Sequence, residues 1–293
     1  RGRARHDRRG MTRNPSDGPD PVSRPIDHRL EGGDDASPAL ALRSGTLSRG
    51  ELRERVGAMA GWLASLGLPP GARVASWAAK GELTSLLPLA APRAGLVHVP
   101  INPLLKRSQV AHILSDSEAS LLIGTQARLD TLEAGDAPVS CQIVPENEVL
   151  AAVTSQDDKL PPSSAQSDQL AALLYTSGST GRPKGVMLSH ANLWLGAASV
   201  AHYLELGPSD VVLGVLPLSF DYGQNQLLSA WHAEASVVPL DFLTPRDVIK
   251  ACALHRITTL AAVPPLWVQL VEQDWPEEAS ASLMRLTNSG GAL

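Results

Sequence analysis

A short segment rich in glycine and hydroxyl side chains is the strongest candidate for chemistry in this sequence. It reads "YTSGSTGRPKG" (Tyr175 to Gly185) and directly follows the apolar run "LAALL" (Leu170 to Leu174). A loop that leaves a buried strand can turn several N–H groups toward one point, and glycines let the backbone approach an anion closely. The hydroxyl of Thr176 adds a donor, and Lys184 adds a positive charge on a long side chain. We therefore predict that this segment binds phosphate groups.

The glycine spacing differs from that of a P-loop. A P-loop places four residues between a glycine and a Gly-Lys pair. Here two residues separate Gly178 from Gly181, and Pro183 precedes Lys184. A P-loop phosphohydrolase is therefore disfavoured. A flexible surface linker is the structural alternative, but the apolar strand before the loop and the helix start near Ser189 argue against it.

The longer stretch "YTSGSTGRPKGVMLSHANL" resembles the phosphate-binding signature of the adenylate-forming (AMP-binding) enzymes, which include acyl-CoA synthetases, amino-acid-adenylating domains and luciferases. The resemblance covers most of the chain from about Leu47, including "GLVHVPINPLLKRSQVAHILSDSEASLLI" and "NSGGAL". Within the family, "PLSFDYGQNQLLSAW" and "AAVPPLWVQL" look most like the acyl-CoA ligases associated with exosortase A gene clusters.

The resemblance implies a two-step reaction. A carboxylate attacks the α-phosphate of ATP and gives an acyl-adenylate and pyrophosphate. A thiol, from coenzyme A or from the phosphopantetheine arm of a carrier protein, then displaces AMP to give a thioester. The first step brings anions together, so positioning and charge neutralisation by the loop and by Mg²⁺ carried in with ATP are the expected catalytic devices.

The resemblance also implies which residues form the site. Thr176 and Lys184 are the expected catalytic residues at the two ends of the loop. The residues expected to hold the β- and γ-phosphates are Thr176, Ser177, Gly178, Ser179, Thr180, Gly181 and Lys184. The residues expected where the adenine and acyl pockets meet are Ser289, Gly290, Gly291 and Ala292. No spacing of His, Cys or Asp residues suggests a metal site built by the protein itself.

A Phe-Asp pair gives a clue to the substrate. Many acyl-CoA synthetases have Phe-His after the Pro-Leu of the next strand, whereas "LPLSFDYGQ" has Phe220 and Asp221, followed by Tyr222. We expect these three residues to bind the substrate. Amino-acid-adenylating domains often carry Phe-Asp here, with the Asp receiving the substrate's ammonium group. A carboxylate facing a mainly apolar pocket needs a cationic partner, so Asp221 either binds an amino group or caps the helix that starts near Gly223.

Alternating strands and helices must position these residues. Ser48 and Glu51 form a capping box before apolar residues at helical spacing, and Gly67 is a natural end for that helix. Thr244 followed by Pro245 predicts a second helix start. The strands between helices are almost continuously apolar, which indicates parallel-rich sheets covered on both faces. The fold class is therefore α/β, and the resemblance implies layered αβαβα subdomains.

The chain divides into a tail and a large domain. Residues 1–43 are rich in Pro, Gly, Asp and Arg and are predicted to be disordered or weakly ordered, with a short strand at their end as the alternative. Residues 44–293 resemble part of the large domain of the family, with a polar, proline-containing subdomain linker at 154–168. The family continues beyond the Gly-Gly segment into a Tyr-Gly-x-Thr-Glu motif and a small C-terminal domain. We therefore expect an N-terminal portion with little activity alone; a non-catalytic nucleotide-binding or scaffolding protein is the alternative.

Composition narrows the classes of partner. The 293 residues are 43% hydrophobic and 19% charged, which is typical of a globular protein. The net charge of −5 does not favour a nucleic-acid or anionic-membrane partner. The longest uncharged apolar run, Ile257 to Val271, is too short to span a bilayer and contains two prolines. Two distant cysteines and the lack of a secretory signal predict a cytoplasmic protein. The resemblance implies that its substrate is a small carboxylic or amino acid.

Overall fold

Two six-stranded sheets form the framework of the protein. The computed structural model describes residues 23–176 and 183–291. Sheet A consists, in spatial order, of β12 (Arg285–Asn288), β11 (Thr259–Ala262), β9 (Val211–Gly214), β10 (Ser236–Pro239), β1 (Pro38–Leu42) and β2 (Gly45–Ser48). Sheet B consists of β6 (Gln142–Pro145), β5 (Ala119–Gly124), β3 (Arg73–Trp77), β4 (Val97–Pro100), β7 (Leu170–Thr176) and β8 (Lys184–Ser189).

Most neighbouring strands in both sheets are parallel. Each sheet has one antiparallel pair at an edge, β1 with β2 in sheet A and β7 with β8 in sheet B. Parallel strands need crossover connections, and the helices that provide them cover the faces of the sheets. The carboxyl ends of the parallel strands consequently lie along one edge of each sheet, where ligands bind in open α/β folds.

The helices lie in three layers around these sheets. The layer between the sheets contains α1 (Arg49–Ser65), α2 (Glu82–Arg93), α6 (His190–Tyr203) and α7 (Asp221–His232). The outer face of sheet A is covered by α8 (Pro245–His255), α9 (Pro264–Val271) and α10 (Glu277–Ser280). The outer face of sheet B is covered by α3 (Arg107–Asp116) and α4 (Gln126–Leu129), and α5 (Glu146–Thr154) packs beside α1. The predicted layered αβαβα architecture is confirmed.

Local sequence signals place the start of α1 correctly. The hydroxyl of Ser48 accepts a hydrogen bond from the Glu51 main-chain N–H at 3.2 Å. The Glu51 carboxylate in turn accepts one from the Ser48 main-chain N–H at 2.8 Å. The helix ends at Ser65, shortly before Gly67, which has a positive φ of 65°. Both hydrogen bonds join residues three apart, so the sequence alone is enough to predict them.

The predicted disordered tail at residues 1–43 is wrong for residues 26–42. A 3₁₀ helix (Ile26–Leu30) buries Ile26 and Leu30 in the layer between the sheets. The buried carboxylate of Asp27 pairs with Arg93 on α2, and β1 pairs with β10 in sheet A. The charges in this segment looked typical of a solvated tail because their partners are far away in the sequence. Residues 1–22 lie outside the described part of the chain.

The segment predicted as a subdomain linker, 154–168, packs against α1. At Gly61, an added Cβ would lie 1.8 Å from the carbonyl oxygen of Asp158, so only glycine allows this close approach. The segment connects α5 to β7, and it therefore joins two parts of sheet B. The chain crosses from sheet A to sheet B through α1 and returns through α6. Residues 154–168 are therefore not a place where the chain changes from one sheet to the other. Within the described residues, no helix combines the length and apolarity needed to cross a membrane.

Candidate active site

The carboxyl ends of strands from both sheets meet at one cleft of about 520 Å³. Sheet B contributes the ends of β4 and β7, and sheet A contributes the segments that follow β9, β11 and β12. The lining residues that matter below are Tyr175, Thr176, Pro183, Ser219, Phe220 and Gly290. None of the described residues that line this cleft is a carboxylate.

The base of the predicted phosphate-binding loop lies at this cleft. Thr176 ends β7 and Lys184 begins β8, and the two residues are directly paired across the antiparallel hairpin. Both are exposed. The main-chain carbonyl of Pro183 accepts a hydrogen bond from His112 Nε2 on α3 at 3.0 Å, which holds the end of the loop against that helix. The predicted loop residues Ser177, Gly178, Ser179, Thr180 and Gly181 lie outside the described residues.

The hairpin is braced by Tyr175, which sequence reasoning did not select. Its hydroxyl donates to the Asp116 carboxylate at 2.6 Å. Its ring lies over Gly185, the residue paired with it across the hairpin, where an added Cβ would be 3.1 Å from ring atom Cζ. Burial, together with the neighbouring Asp116, raises the pKa of Tyr175 far above its usual value. The phenol therefore stays protonated and continues to donate its hydrogen bond.

The Gly-Gly segment after β12 reaches the same cleft from sheet A. Ser289 N–H donates to the Ala262 carbonyl at 3.1 Å, which continues the pairing of β12 with β11. Gly290 then turns into the cleft with a φ of 82°, a conformation that favours glycine. The carbonyl of Gly291 accepts a hydrogen bond from Asn288 Nδ2 at 2.6 Å. Ala292 lies outside the described residues. Two predicted segments that belong to different sheets thus line one cleft.

The three predicted substrate residues at the start of α7 contact three different regions. Phe220 lines the cleft. Asp221 lines a smaller cavity between α6 and α7, and the Tyr222 hydroxyl lies 3.2 Å from Thr287 Oγ1 on β12. Phe220, not Asp221, is the N-cap residue of α7, and the structure shows no side-chain cap there. The alternative that Asp221 caps the helix is therefore not supported.

The Asp221 carboxylate faces solvent on one side and protein atoms on the other. Its side chain is exposed at the mouth of the smaller cavity. Protein atoms on its other side desolvate the carboxylate and raise its pKa above the usual value. Gly223, one turn into the helix, approaches the preceding loop so closely that an added Cβ would lie 1.9 Å from the carbonyl oxygen of Pro217. This approach determines how the helix start is placed against the cleft.

Comparison with known proteins identifies the family. The model of the family described as AMP-binding enzyme matches residues 31–293. The chain belongs to the AMP-binding enzyme family.

Relatives of this AMP-binding enzyme include enzymes whose names contain CoA and enzymes whose names contain a carrier protein. Feruloyl-CoA synthase from Amycolatopsis sp is 32% identical over 257 residues, which is 87% of this chain and 51% of the relative. An L-proline–[L-prolyl-carrier protein] ligase from Pseudomonas fluorescens is 32% identical over 242 residues, which is 80% of this chain and 48% of the relative. The structure of ATP-bound MatB from Rhodopseudomonas palustris superimposes with a TM-score of 0.83 at 27% identity and covers 91% of this chain and 55% of MatB. The chain spans about half the length of each.

A second cavity adjoins the cleft of this AMP-binding enzyme. It also measures about 520 Å³ and shares Pro100, Asn102 and Ser219, among others, with the cleft. Lys80 lies in its wall, and burial lowers the pKa of this lysine to about 8, an effect that the nearby Asp241 partly opposes. Nothing in the local sequence "WAAKGEL" distinguishes Lys80, because the groups that surround it come from the other sheet.

Two buried histidines of the AMP-binding enzyme have structural roles. His190 Nδ1 accepts a hydrogen bond from the Ile26 main-chain N–H at 3.0 Å. His98 Nε2 lies 3.0 Å from the Ser76 hydroxyl. Burial lowers the pKa of both imidazoles, so each is neutral at pH 7. Across the described part of the chain, no group of three or more His, Cys, Asp or Glu side chains could hold a metal ion.

Proposed function

We propose that this AMP-binding enzyme activates a carboxylic acid with ATP and transfers the acyl group to a thiol, as an acid-thiol ligase of the acyl-CoA synthetase type. One observation carries the proposal: Thr176, which pairs with Lys184 at the base of the glycine-rich loop, lines the same cleft as Gly290 from the other sheet. The named functions of the feruloyl-CoA and prolyl-carrier-protein ligases support the same reaction class.

The chemistry of the first step fits the groups at the cleft. A carboxylate oxygen of the acid attacks the α-phosphorus of ATP, the bond from that phosphorus to the bridging oxygen breaks, and pyrophosphate leaves with the electron pair. Thr176 donates a hydrogen bond to a phosphate oxygen, and the Lys184 ammonium neutralises charge on the leaving pyrophosphate. Mg²⁺ bound to the phosphates of ATP would supply further neutralisation of charge there.

The adjoining cavity suits the thiol arm. It opens from the same strand ends as the cleft, and apolar side chains such as Ile101, Leu104 and Phe242 make up much of its wall. A slender, largely uncharged arm from coenzyme A or from a carrier protein fits such a passage better than a charged nucleotide does. The second step then places the thiol sulfur on the acyl carbon, and AMP leaves.

An amino acid is the alternative class of substrate to a fatty acid. The Asp221 carboxylate is desolvated on one side, and among the described residues no neighbouring cation offsets the resulting rise in its pKa. A substrate ammonium group would stabilise its charged form. Pyrophosphate exchange by a chain extended through the Tyr-Gly-x-Thr-Glu motif and the small domain, measured across a panel of carboxylic acids with Asp221→Ala as the variant, tests this. Fatty acids outcompeting amino acids, with the variant unaffected, would contradict the amino-acid alternative.

The phosphate-binding role is tested by the affinity for ATP. Lys184→Ala removes a charge-assisted hydrogen bond worth about 1.5–3 kcal/mol, so we expect ATP binding to weaken roughly tenfold to a hundredfold. Lys250→Ala, on the exposed side of α8, is the matched control and should bind ATP as the unmodified chain does. Equal affinities for all three proteins in calorimetric titration would count against the assignment of the loop.

ATP binding and acyl-adenylate formation are expected to differ in this chain. We expect the 293 residues alone to bind ATP but to form acyl-adenylate slowly, because the Tyr-Gly-x-Thr-Glu motif and the lysine of the family's small domain are not among them. A clear single-turnover adenylation signal from the 293-residue chain would contradict this. Binding of ATP without any adenylation, even by a chain extended through the Tyr-Gly-x-Thr-Glu motif and the family's small domain, would favour the non-catalytic alternative.

A further inference from the structure

A polar cavity lies between the first turns of α6 and α7. It measures about 130 Å³. From α6 it is lined by Asn192 and Gly196, and from α7 by Asp221, Gln224 and Asn225. The three α7 residues are spaced three and four apart, so they form one stripe on that helix facing α6. Leucine side chains complete the wall, so the polar groups are concentrated on the α7 side.

Among the residues that line the cavity, three buried side-chain polar atoms have no hydrogen-bond partner. Both the oxygen and the nitrogen of the Gln224 amide are unpartnered, and this residue is only 1% exposed. Asn225 Oδ1 is the third. Gln226 provides a contrast on the same helix, because its amide accepts from Leu216 N–H at 3.2 Å and donates to the Leu213 carbonyl at 2.9 Å. Buried polar groups are normally paired, so three such atoms around one cavity indicate a ligand.

We propose that this cavity binds an uncharged primary carboxamide of the acid substrate. The inference rests on the proposed function, because consecutive residues connect the two regions: Phe220 lines the cleft and Asp221 lines the cavity. An acid whose carboxylate lies near the phosphates can therefore extend past the start of α7 with its other end in the cavity. Gln224 and Asn225 are then specificity-determining residues for the reaction.

The donors and acceptors of a primary carboxamide match the three side-chain atoms that lack a hydrogen-bond partner. Its oxygen accepts from the Gln224 nitrogen, and its two N–H groups donate to the Gln224 oxygen and to Asn225 Oδ1. A carboxylate offers only acceptors and would face Asp221, and an ammonium group offers only donors and leaves the Gln224 nitrogen unpaired. At about 30 Å³ for each water-sized group, the cavity has room for the amide and one adjoining carbon.

Side-chain amide NMR on the 293-residue chain tests the proposal directly. The probe is propionamide, titrated while the Gln224 side-chain NH₂ signals are followed; Gln224→Leu assigns those signals by their loss. We expect saturable shifts with propionamide and none with butanone, which has the same shape but no donor. Gly196→Ala should weaken binding at least tenfold, because the new Cβ would lie 3.3 Å from Asn225 Nδ2 and narrow the cavity. Gln142→Leu, at an exposed position on β6, is the matched control and should leave the shifts unchanged.

Several outcomes would overturn the carboxamide assignment. Absence of any saturable shift with propionamide would do so, as would shifts that persist in Gly196→Ala. Larger saturable shifts with propylammonium or propionate would assign the cavity to a charged group instead. The titration requires neither ATP nor turnover. Failure of this inference therefore leaves ATP binding by the 293-residue chain intact, whereas failure of the proposed function removes ATP binding and leaves the amide shifts.

Discussion

The ammonium group of Lys80, which follows β3 in sheet B, donates to the main-chain carbonyl of Leu240, which follows β10 in sheet A, at 2.8 Å. It also donates to the Gly214 carbonyl at 2.9 Å and lies 3.8 Å from the Asp241 carboxylate. One buried side chain therefore joins the carboxyl ends of the two sheets beside the cleft. This contact spans the gap between the two sheets at the candidate site.

The stability contributed by Lys80 should change with pH. Its pKa is about 8 in the folded chain and 10.5 for the free side chain, mainly because burial disfavours the charge. Between those values the unfolded chain binds more protons, so deprotonation of Lys80 makes stability rise with pH, by up to about 3 kcal/mol. Urea unfolding of the unmodified chain and of Lys80→Met at several pH values measures this. The difference between their unfolding free energies should shift in favour of the unmodified chain from pH 8 to pH 10.5; a constant difference would contradict the assignment.

Loss of the buried Asp27 carboxylate should strongly destabilise the fold. Asp27 accepts hydrogen bonds from Arg93 Nε at 3.2 Å and from the N–H and hydroxyl of Ser163, both at 2.8 Å. Asp27→Ala leaves the buried Arg93 charge without its carboxylate, which costs about 3–5 kcal/mol. Asp35→Ala, which removes an exposed ion pair with Arg53, is the control and should change stability much less. Similar unfolding midpoints for both variants would contradict the importance of this ion pair.

Gly223 should not tolerate a side chain. An added Cβ lies 1.9 Å from the Pro217 carbonyl oxygen and 2.7 Å from its carbon, so the backbone itself must move. We expect Gly223→Ala to destabilise the chain by about 1–3 kcal/mol or more, and to weaken acid binding by shifting Phe220 and Asp221. Gly207→Ala is the matched control, since nothing lies within 4 Å of its added Cβ. Equal thermal midpoints for the two variants would show that the loop before α7 adapts.

Replacing the unpartnered Gln224 should stabilise the chain, unlike the same change at Gln226. Gln224→Leu removes two buried polar atoms that have no partner, and each such group costs about 1–3 kcal/mol. Gln226→Leu leaves the Leu216 N–H and the Leu213 carbonyl without their partner and should destabilise by a similar amount. Thermal unfolding of both variants without substrate makes the comparison. If Gln224→Leu also lowers the midpoint, the Gln224 amide supports the fold and is not available to a ligand.

Elements whose signals are local were predictable. The capping box of Ser48 and the start of α8 after Thr244 involve residues only three apart, and in α8 the Asp247 carboxylate accepts from the Thr244 N–H at 2.8 Å. The apolar strands and the alternation with helices were likewise enough to predict the layered α/β fold. The ordered 3₁₀ helix (Ile26–Leu30) was missed, because the partner of Asp27 is on α2.

The amino-acid sequence by itself determined where α1 and α8 begin, which strands are covered on both faces, and which contiguous loop is predicted to bind phosphate. Each of these depends on residues a few positions apart, so short-range geometry is sufficient. Only the tertiary structure decided that Thr176 and Gly290 line one cleft, that Lys80 joins the two sheets, and that Gln224 is buried without a partner. Burial and long-range pairing depend on how the whole chain packs, and no local spacing records them.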